Sequence, residues 1–169
     1  MSETLSQALG GDLEARVEAV LRALCDRNWT IATAESCTGG LLASVLTDVQ
    51  GVSHAFERGF VTYTEAAKVQ DIGVPARLIE DEGAVSEAVA RAMAEGARDV
   101  SDADLAVAIT GYAGPGGPDD EEGLVQVALA GPEGLALHRR LRLGPVGRDA
   151  VRLASVEAAV GLIEDALKA

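Results

Sequence analysis

Apolar positions along the chain follow two periods, and the switches between them mark out the elements. Over 12–27, "DLEARVEAVLRALCDR", Leu13, Val17, Val20, Leu21 and Leu24 recur at helical spacing and predict a helix with one buried stripe. "WTIATAE" (29–35) is short, apolar and β-branched, which predicts a buried strand. "GGLLASVLTDV" (39–49) reads as a helix that starts at its glycines, and "RGFVTYT" (58–64) as a second strand. "EAAKVQDIG" (65–73) reads as a short helix stopped by Gly73. A turn and a helical fragment follow, and Ser86 is placed to cap a helix over 87–100. "LAVAITG" (105–111) is a strongly apolar strand. "LVQVALA" (124–130) and "LALHRRLRL" (135–143) flank "GPEG" as a hairpin, and "GRDAVRLASVEAAVGLIEDALK" closes as a helix.

Interleaved strands and helices, then a hairpin and a last helix, point to an α/β fold. The expected form is a three-layer α/β/α sandwich around a mixed, mostly parallel sheet. The length of 169 residues suits a single domain over 1–169, with its core at about 12–165. Aromatic residues make up only 3%, so Ala, Val, Leu and Ile must fill the core.

Charge narrows the partners. A formal net charge of −13 argues against nucleic acid, whose phosphates need a basic surface. It leaves room for a small phosphorylated ligand. No apolar run predicts a membrane span, and "MSETLSQALGGDLEAR" has no leader pattern. Two cysteines, Cys25 and Cys37, and two isolated histidines, His54 and His138, predict neither a disulfide framework nor a metal site. The expectation is a cytoplasmic protein without metal or cofactor. Its small apolar residues permit a homo-oligomer, with a dimer as the expected form.

Four stretches could carry chemistry. "TAESCTGG" (33–40) puts Ser36, Cys37 and Thr38 where a strand gives way to a helix, and there free N–H groups can hold an anion or an oxyanion. The same stretch also reads as a plain capping turn. Cys37 rivals Ser36 as nucleophile, with no histidine evident to pair with it. Lys68 is one of only two lysines among 14 basic residues, and a desolvated lysine can act as a base where arginine cannot. Equally, its ammonium could sit in water. Tyr63, placed at the end of the second strand, could assist proton movement or position a ligand, or be a core tyrosine with a wet hydroxyl. "TGYAGPGGP" (110–118) follows a strand as ligand loops do in α/β folds, although surface loops look the same. Arg139, Arg140, Arg142, Arg148 and Arg152 crowd together in an acidic chain, and Arg148 is the one singled out to clamp a phosphate.

Taken together, "TAESCTGGLLASVLTDVQGVSHAFERGFVTYTEAAK", "GAVSEAVARAMAEGA" and "ADLAVAITGYAGPGG" resemble the CinA C-terminal domain family over roughly residues 12–165. Stand-alone members of that family are nicotinamide mononucleotide (NMN) deamidases. The resemblance implies hydrolysis of the NMN carboxamide to nicotinic acid mononucleotide and ammonia, in pyridine nucleotide salvage, by a serine–lysine mechanism without metal. It implies Ser36, Lys68 and Tyr63 as catalytic residues. Around the ligand it implies Glu35, Cys37, Thr38, Gly39 and Gly40 from the first motif, Thr110, Gly111, Ala113 and Gly114 from the glycine loop, and Arg148 from the last helix. On this reading neutral Lys68 takes the Ser36 proton, and N–H groups around 38–40 hold the oxyanion. Two alternatives stay open: a nucleotide-binding or regulatory module without turnover, and an amidase acting on a related substrate. Tyr112 stands where the family often has a smaller aliphatic residue. The stretch after "GPGG" is shortened to "PDDEE", and "GLVQVAL" replaces the usual "VGTVxxAL".

Overall fold

Every strand of the central sheet except the two at its edges is buried on both faces, so alternation here is of size rather than polarity. A computed structural model describes residues 12–169. Residues 1–11, and with them the reading of that segment as leaderless, lie outside the described residues. The elements run α1 (Leu13–Asp26), β1 (Ile31–Glu35), α2 (Leu41–Leu46), β2 (Phe56–Val61), α3 (Glu65–Ile72), α4 (Ala76–Glu82), α5 (Glu87–Ser101), β3 (Leu105–Gly111), β4 (Leu124–Ala130), β5 (Ala136–Arg142) and α6 (Arg148–Ala166). Single 3-10 turns sit at Ser53–Ala55 and Pro132–Gly134.

The sheet order is β2-β1-β3-β4-β5. β1 pairs in parallel with β2 and β3, whereas β3–β4 and β4–β5 are antiparallel. Parallel pairing is therefore not the majority: the hairpin at the end of the chain turns that half of the sheet antiparallel.

One sheet face carries the large side chains Ile31, Leu105, Val107, Ile109, Val125, Val127 and Leu129. They pack with Leu13, Val17, Val20, Leu21 and Leu24 of α1, Leu42 and Val45 of α2, and the buried face of α6. The other face is nearly all alanine (Ala32, Ala34, Ala106, Ala108, Ala128, Ala130) and meets Val89, Ala90, Met93, Ala94 and Ala97 of α5. Small side chains on both surfaces let this helix lie close to the sheet. Helices on both faces complete the α/β/α layering. α3 butts against α5 so tightly that a Cβ on Gly96 would lie 1.8 Å from the Ile72 carbonyl oxygen.

Helix ends follow their sequence signals. Ser86 accepts a hydrogen bond from the Val89 N–H (3.2 Å) and caps α5, and Thr64 caps α3 in the same way through the Ala67 N–H (3.1 Å). Gly73 closes α3 in the left-handed conformation. Two boundaries differ from the sequence reading. α2 begins at Leu41, because Gly39 and Gly40 take positive φ (60° and 92°) and belong to the preceding turn. β2 begins at Phe56 and ends at Val61, so Tyr63 lies beyond the strand. Among the described residues no helix is long and apolar enough to cross a membrane.

Candidate active site

Parallel strands leave a crevice at their C-terminal ends where successive connections go to opposite sides, as they do on either side of β1. Ser36, just after β1, is pinned there by its N–H, which donates to the Ile109 carbonyl at 2.9 Å. Gly111 ends β3 next door, and the loop that follows forms the other wall. A cavity of about 380 Å³ opens between them. Its lining includes Ser36, Cys37, Tyr63, Lys68, Thr110, Gly111, Ala113, Gly114 and Arg148 from the residues anticipated above.

Lys68 is 1% exposed, yet it carries the longest side chain of any core residue here. α3 points it inward beneath Ser36, which is 8% exposed. The amine lies 3.2 Å from Ser36 Oγ, and it donates to the carbonyls of Thr62 (2.8 Å) and Tyr63 (3.4 Å). No carboxylate forms an ion pair with it among the described residues. Burial pushes its pKa down from 10.5, while the Cys37 thiol and the Glu65 carboxylate pull the other way. The amine thus has three oxygen neighbours, the Thr62 and Tyr63 carbonyls and the Ser36 hydroxyl, and the hydroxyl is itself within reach of the Tyr63 carbonyl.

Cys37 is buried, and burial pushes its thiol up to about 11. A thiol so high stays protonated near neutrality, which favours Ser36 as the nucleophile.

Several anticipated residues hold the site from behind rather than line it. The carboxylate of Glu35 is fully buried and accepts from the N–H groups of Leu42 (3.0 Å) and Ala43 (2.8 Å). It caps α2 from the adjoining strand and does not reach the cavity, so the reading of Glu35 as a ligand contact is corrected. Thr38, Gly39 and Gly40 likewise lie outside the lining. The Gly39 N–H bonds the Ser36 carbonyl (3.0 Å) and the Leu41 N–H the Thr38 carbonyl (3.1 Å). Glu35 and these turn bonds consume the donors of Gly39, Leu41, Leu42 and Ala43. Of the residues in this turn, only Ser36 and Cys37 line the cavity.

Tyr63 enters through its backbone: its carbonyl faces both Lys68 Nζ and Ser36 Oγ (3.4 Å each), while the residue as a whole is 65% exposed. Thr110 donates its hydroxyl to the Ala84 carbonyl (2.9 Å), tying the β3 end to the segment before α5. Arg148 opens α6 with its guanidinium beside Gly114, where an added Cβ would lie 3.0 Å from Nη2.

Arg152, one turn further on, donates to the Thr38 carbonyl at 2.9 Å and holds the nucleophile turn from α6. Sequence reasoning passed it over among the crowded arginines; its spacing of four from Arg148 is the signal that puts both on one helix face. Thr64, Glu65, Ala84, Val85 and Tyr112 also line the cavity without having been assigned a role there.

A wider hollow of about 560 Å³ adjoins through Val85, lined by Arg91, Arg140 and Arg142 among others. Those arginines already pair with Glu87 and Glu121, and the lining includes neither Ser36 nor Lys68.

Comparison with known proteins matches residues 13–167 to the model of the CinA C-terminal domain. A CinA-like protein of Synechococcus sp. (strain RCC307) is 47% identical over 157 residues, which cover 91% of this chain and 37% of that protein. A CinA-like protein of Anaeromyxobacter dehalogenans (strain 2CP-C) is 43% identical over 164 residues, covering 96% of this chain and 40% of that one. The chain thus spans about two fifths of the length of these curated relatives. Among solved structures, the competence/damage inducible protein CihA from Agrobacterium tumefaciens superposes with a TM-score of 0.89 at 41% identity, over 95% of this chain and 98% of that one. A CinA superfamily protein from Escherichia coli gives 0.84 at 35% identity, over 89% and 88% of the respective chains. The family model and these relatives show that the chain belongs to the CinA C-terminal domain family.

Proposed function

We propose that the protein is an amidohydrolase that deamidates nicotinamide mononucleotide, giving nicotinic acid mononucleotide and ammonia. The observation that carries this reading is a buried lysine amine, with no carboxylate partner among the described residues, 3.2 Å from a serine hydroxyl at the floor of an open cavity. Serine–lysine pairs of this kind perform acyl transfer when desolvation keeps the amine neutral.

In the proposed mechanism Lys68 accepts the Ser36 proton while Oγ attacks the carboxamide carbon. The tetrahedral oxyanion forms beside the Cys37 and Thr38 amides. Lys68 then returns its proton to the departing nitrogen, so ammonia leaves and an acyl ester stays on Ser36. Water, deprotonated by the same amine, cleaves the ester and restores the serine. The Tyr63 and Thr62 carbonyls hold the amine in place throughout. Arg148, at the cavity edge, supplies a guanidinium for the nucleotide phosphate.

Ammonia release from NMN tests the reading directly. Ser36→Ala and Lys68→Met should each reduce turnover to background while leaving the fold intact by circular dichroism. Release from Ser36→Ala at the parent rate defeats the mechanism. NMN bound by the parent without any release identifies a nucleotide-binding module instead.

A further inference from the structure

Arg152 is a cation without a counterion. Among the described residues no carboxylate pairs with it. Arg16, Arg22, Arg58, Arg91 and Arg139, by contrast, each hold one within 3.1 Å. Its Nε is buried and makes no hydrogen bond, and its Nη2 donates to the Thr38 carbonyl at 2.9 Å. A half-buried charge in this state is costly to the fold. A neutral donor would tether the same carbonyl at less cost, so the tether alone does not account for a guanidinium here.

The bond continues into the nucleophile turn. The Thr38 carbonyl and the Gly39 N–H belong to one peptide group, and that N–H donates to the Ser36 carbonyl at 3.0 Å. The Ser36 carbonyl in turn shares its peptide group with the Cys37 N–H. Cys37 lines the cavity, and its N–H donates to no carbonyl among the described residues. The Thr38 hydroxyl makes no hydrogen bond, so the turn is organised through these backbone groups. A guanidinium and two peptide groups thus form one row of dipoles, with its charged end on α6 and its other end beside Ser36. Each bond in such a row polarises the next. Burial sets the Cys37 thiol high, and against it the Arg152 charge pulls the thiol down, so the field of Arg152 reaches that end.

We propose that Arg152 is a positioning residue for turnover: its charge, relayed through the Thr38 and Ser36 peptide groups, strengthens the Cys37 N–H toward the negative charge that develops at Ser36 during acyl transfer. The inference rests on the amidohydrolase reading. Arg152 does not line the cavity, so its loss acts on the charge of the transition state and not on substrate binding.

The test uses the full chain with Arg152→Gln, which keeps a neutral donor, and Arg152→Lys, which keeps the charge. Arg152→Met takes the place of the glutamine variant if circular dichroism shows the latter unfolded. Ammonia release from NMN gives kcat and KM. In Arg152→Gln kcat is expected to fall about fivefold or more, less than for loss of a whole oxyanion donor, with KM within about twofold of the parent. Arg152→Lys should recover much of the rate. A second readout needs no turnover of NMN. Pyridine-3-boronic acid takes the Ser36 oxygen onto boron, the serine proton passing to Lys68, and becomes a tetrahedral anion. Its affinity, measured by calorimetry, should drop with kcat in Arg152→Gln and return in Arg152→Lys. Arg139→Met, which removes an arginine paired to the far end of α6, should change neither readout. Parent values in Arg152→Gln, a raised KM at constant kcat, a lysine variant no better than the glutamine one, or failure of both neutral variants to fold would overturn the proposal. Charge-dependent boronate affinity without NMN hydrolysis by the parent defeats the NMN reading and spares this one. NMN hydrolysis indifferent to the charge at Arg152 does the reverse. A parent that neither hydrolyses NMN nor binds the boronic acid overturns both.

Discussion

In the proposed mechanism Lys68 is the base, and its environment fixes the sign of a pH dependence. Burial lowers its pKa from 10.5, so the neutral amine becomes available at a lower pH than in water. The rate should therefore rise with pH through one ionisation below 10.5, seen in kcat/KM against pH. Lys68→Arg keeps a cation but cannot lose its proton near neutrality, and is expected to be inactive across that range. Stability carries the same signature. The unfolded chain holds this proton more tightly than the folded one, so the folded state gains stability as pH rises through the window below 10.5. Urea midpoints measured across that window should climb for the parent, and the climb should shrink in Lys68→Met. The residues around Lys68 were unevenly legible. Ser36 and Lys68 stood out in the sequence as a hydroxyl beside two glycines and one of only two lysines, and the structure brings them to 3.2 Å. The contact of the Tyr63 carbonyl with Lys68 and Ser36 left no mark in the sequence, because every residue possesses that oxygen.

At the level of elements, the turn after β1 shows how a short helix is made to start in one place. α2 has six residues, too few to be stable alone. Glu35 supplies what is missing by accepting two N–H bonds from its first turn within the core. Glu35→Gln removes the charge and one of the acceptor oxygens. It is expected to cost about 1–3 kcal/mol, read from the shift in urea midpoint at constant slope. The role of Glu35 was hidden from the sequence because the donors it satisfies lie seven and eight residues ahead, across a turn set by two glycines with positive φ. β2 was hidden for another reason. It is an edge strand with three exposed residues in a row, so the apolar run that locates interior strands is absent and its ends were placed too late. Helices with a clean stripe, such as α1, were read almost to the residue.

Across the whole molecule, the two sheet faces divide the labour. The face of large aliphatics against α1, α2 and α6 gives the core its volume, and the alanine face lets α5 sit close behind the cavity. That second interface has no slack, so Ala108→Leu should destabilise the protein by about 1–3 kcal/mol, measurable as a lowered midpoint in thermal or urea unfolding. The overall α/β order was legible because each interior strand is a short apolar run between helical periods. The even balance of parallel and antiparallel pairing was not, since pairing depends on which neighbour the hairpin meets. One link joins the two ends of this architecture: the Arg152 guanidinium on α6 grips the Thr38 carbonyl across 114 residues of chain. During synthesis the serine leaves the ribosome early and its fastening late. The turn that carries Ser36 is therefore held in part by a helix made more than a hundred residues later, so its final shape waits on α6 being laid down.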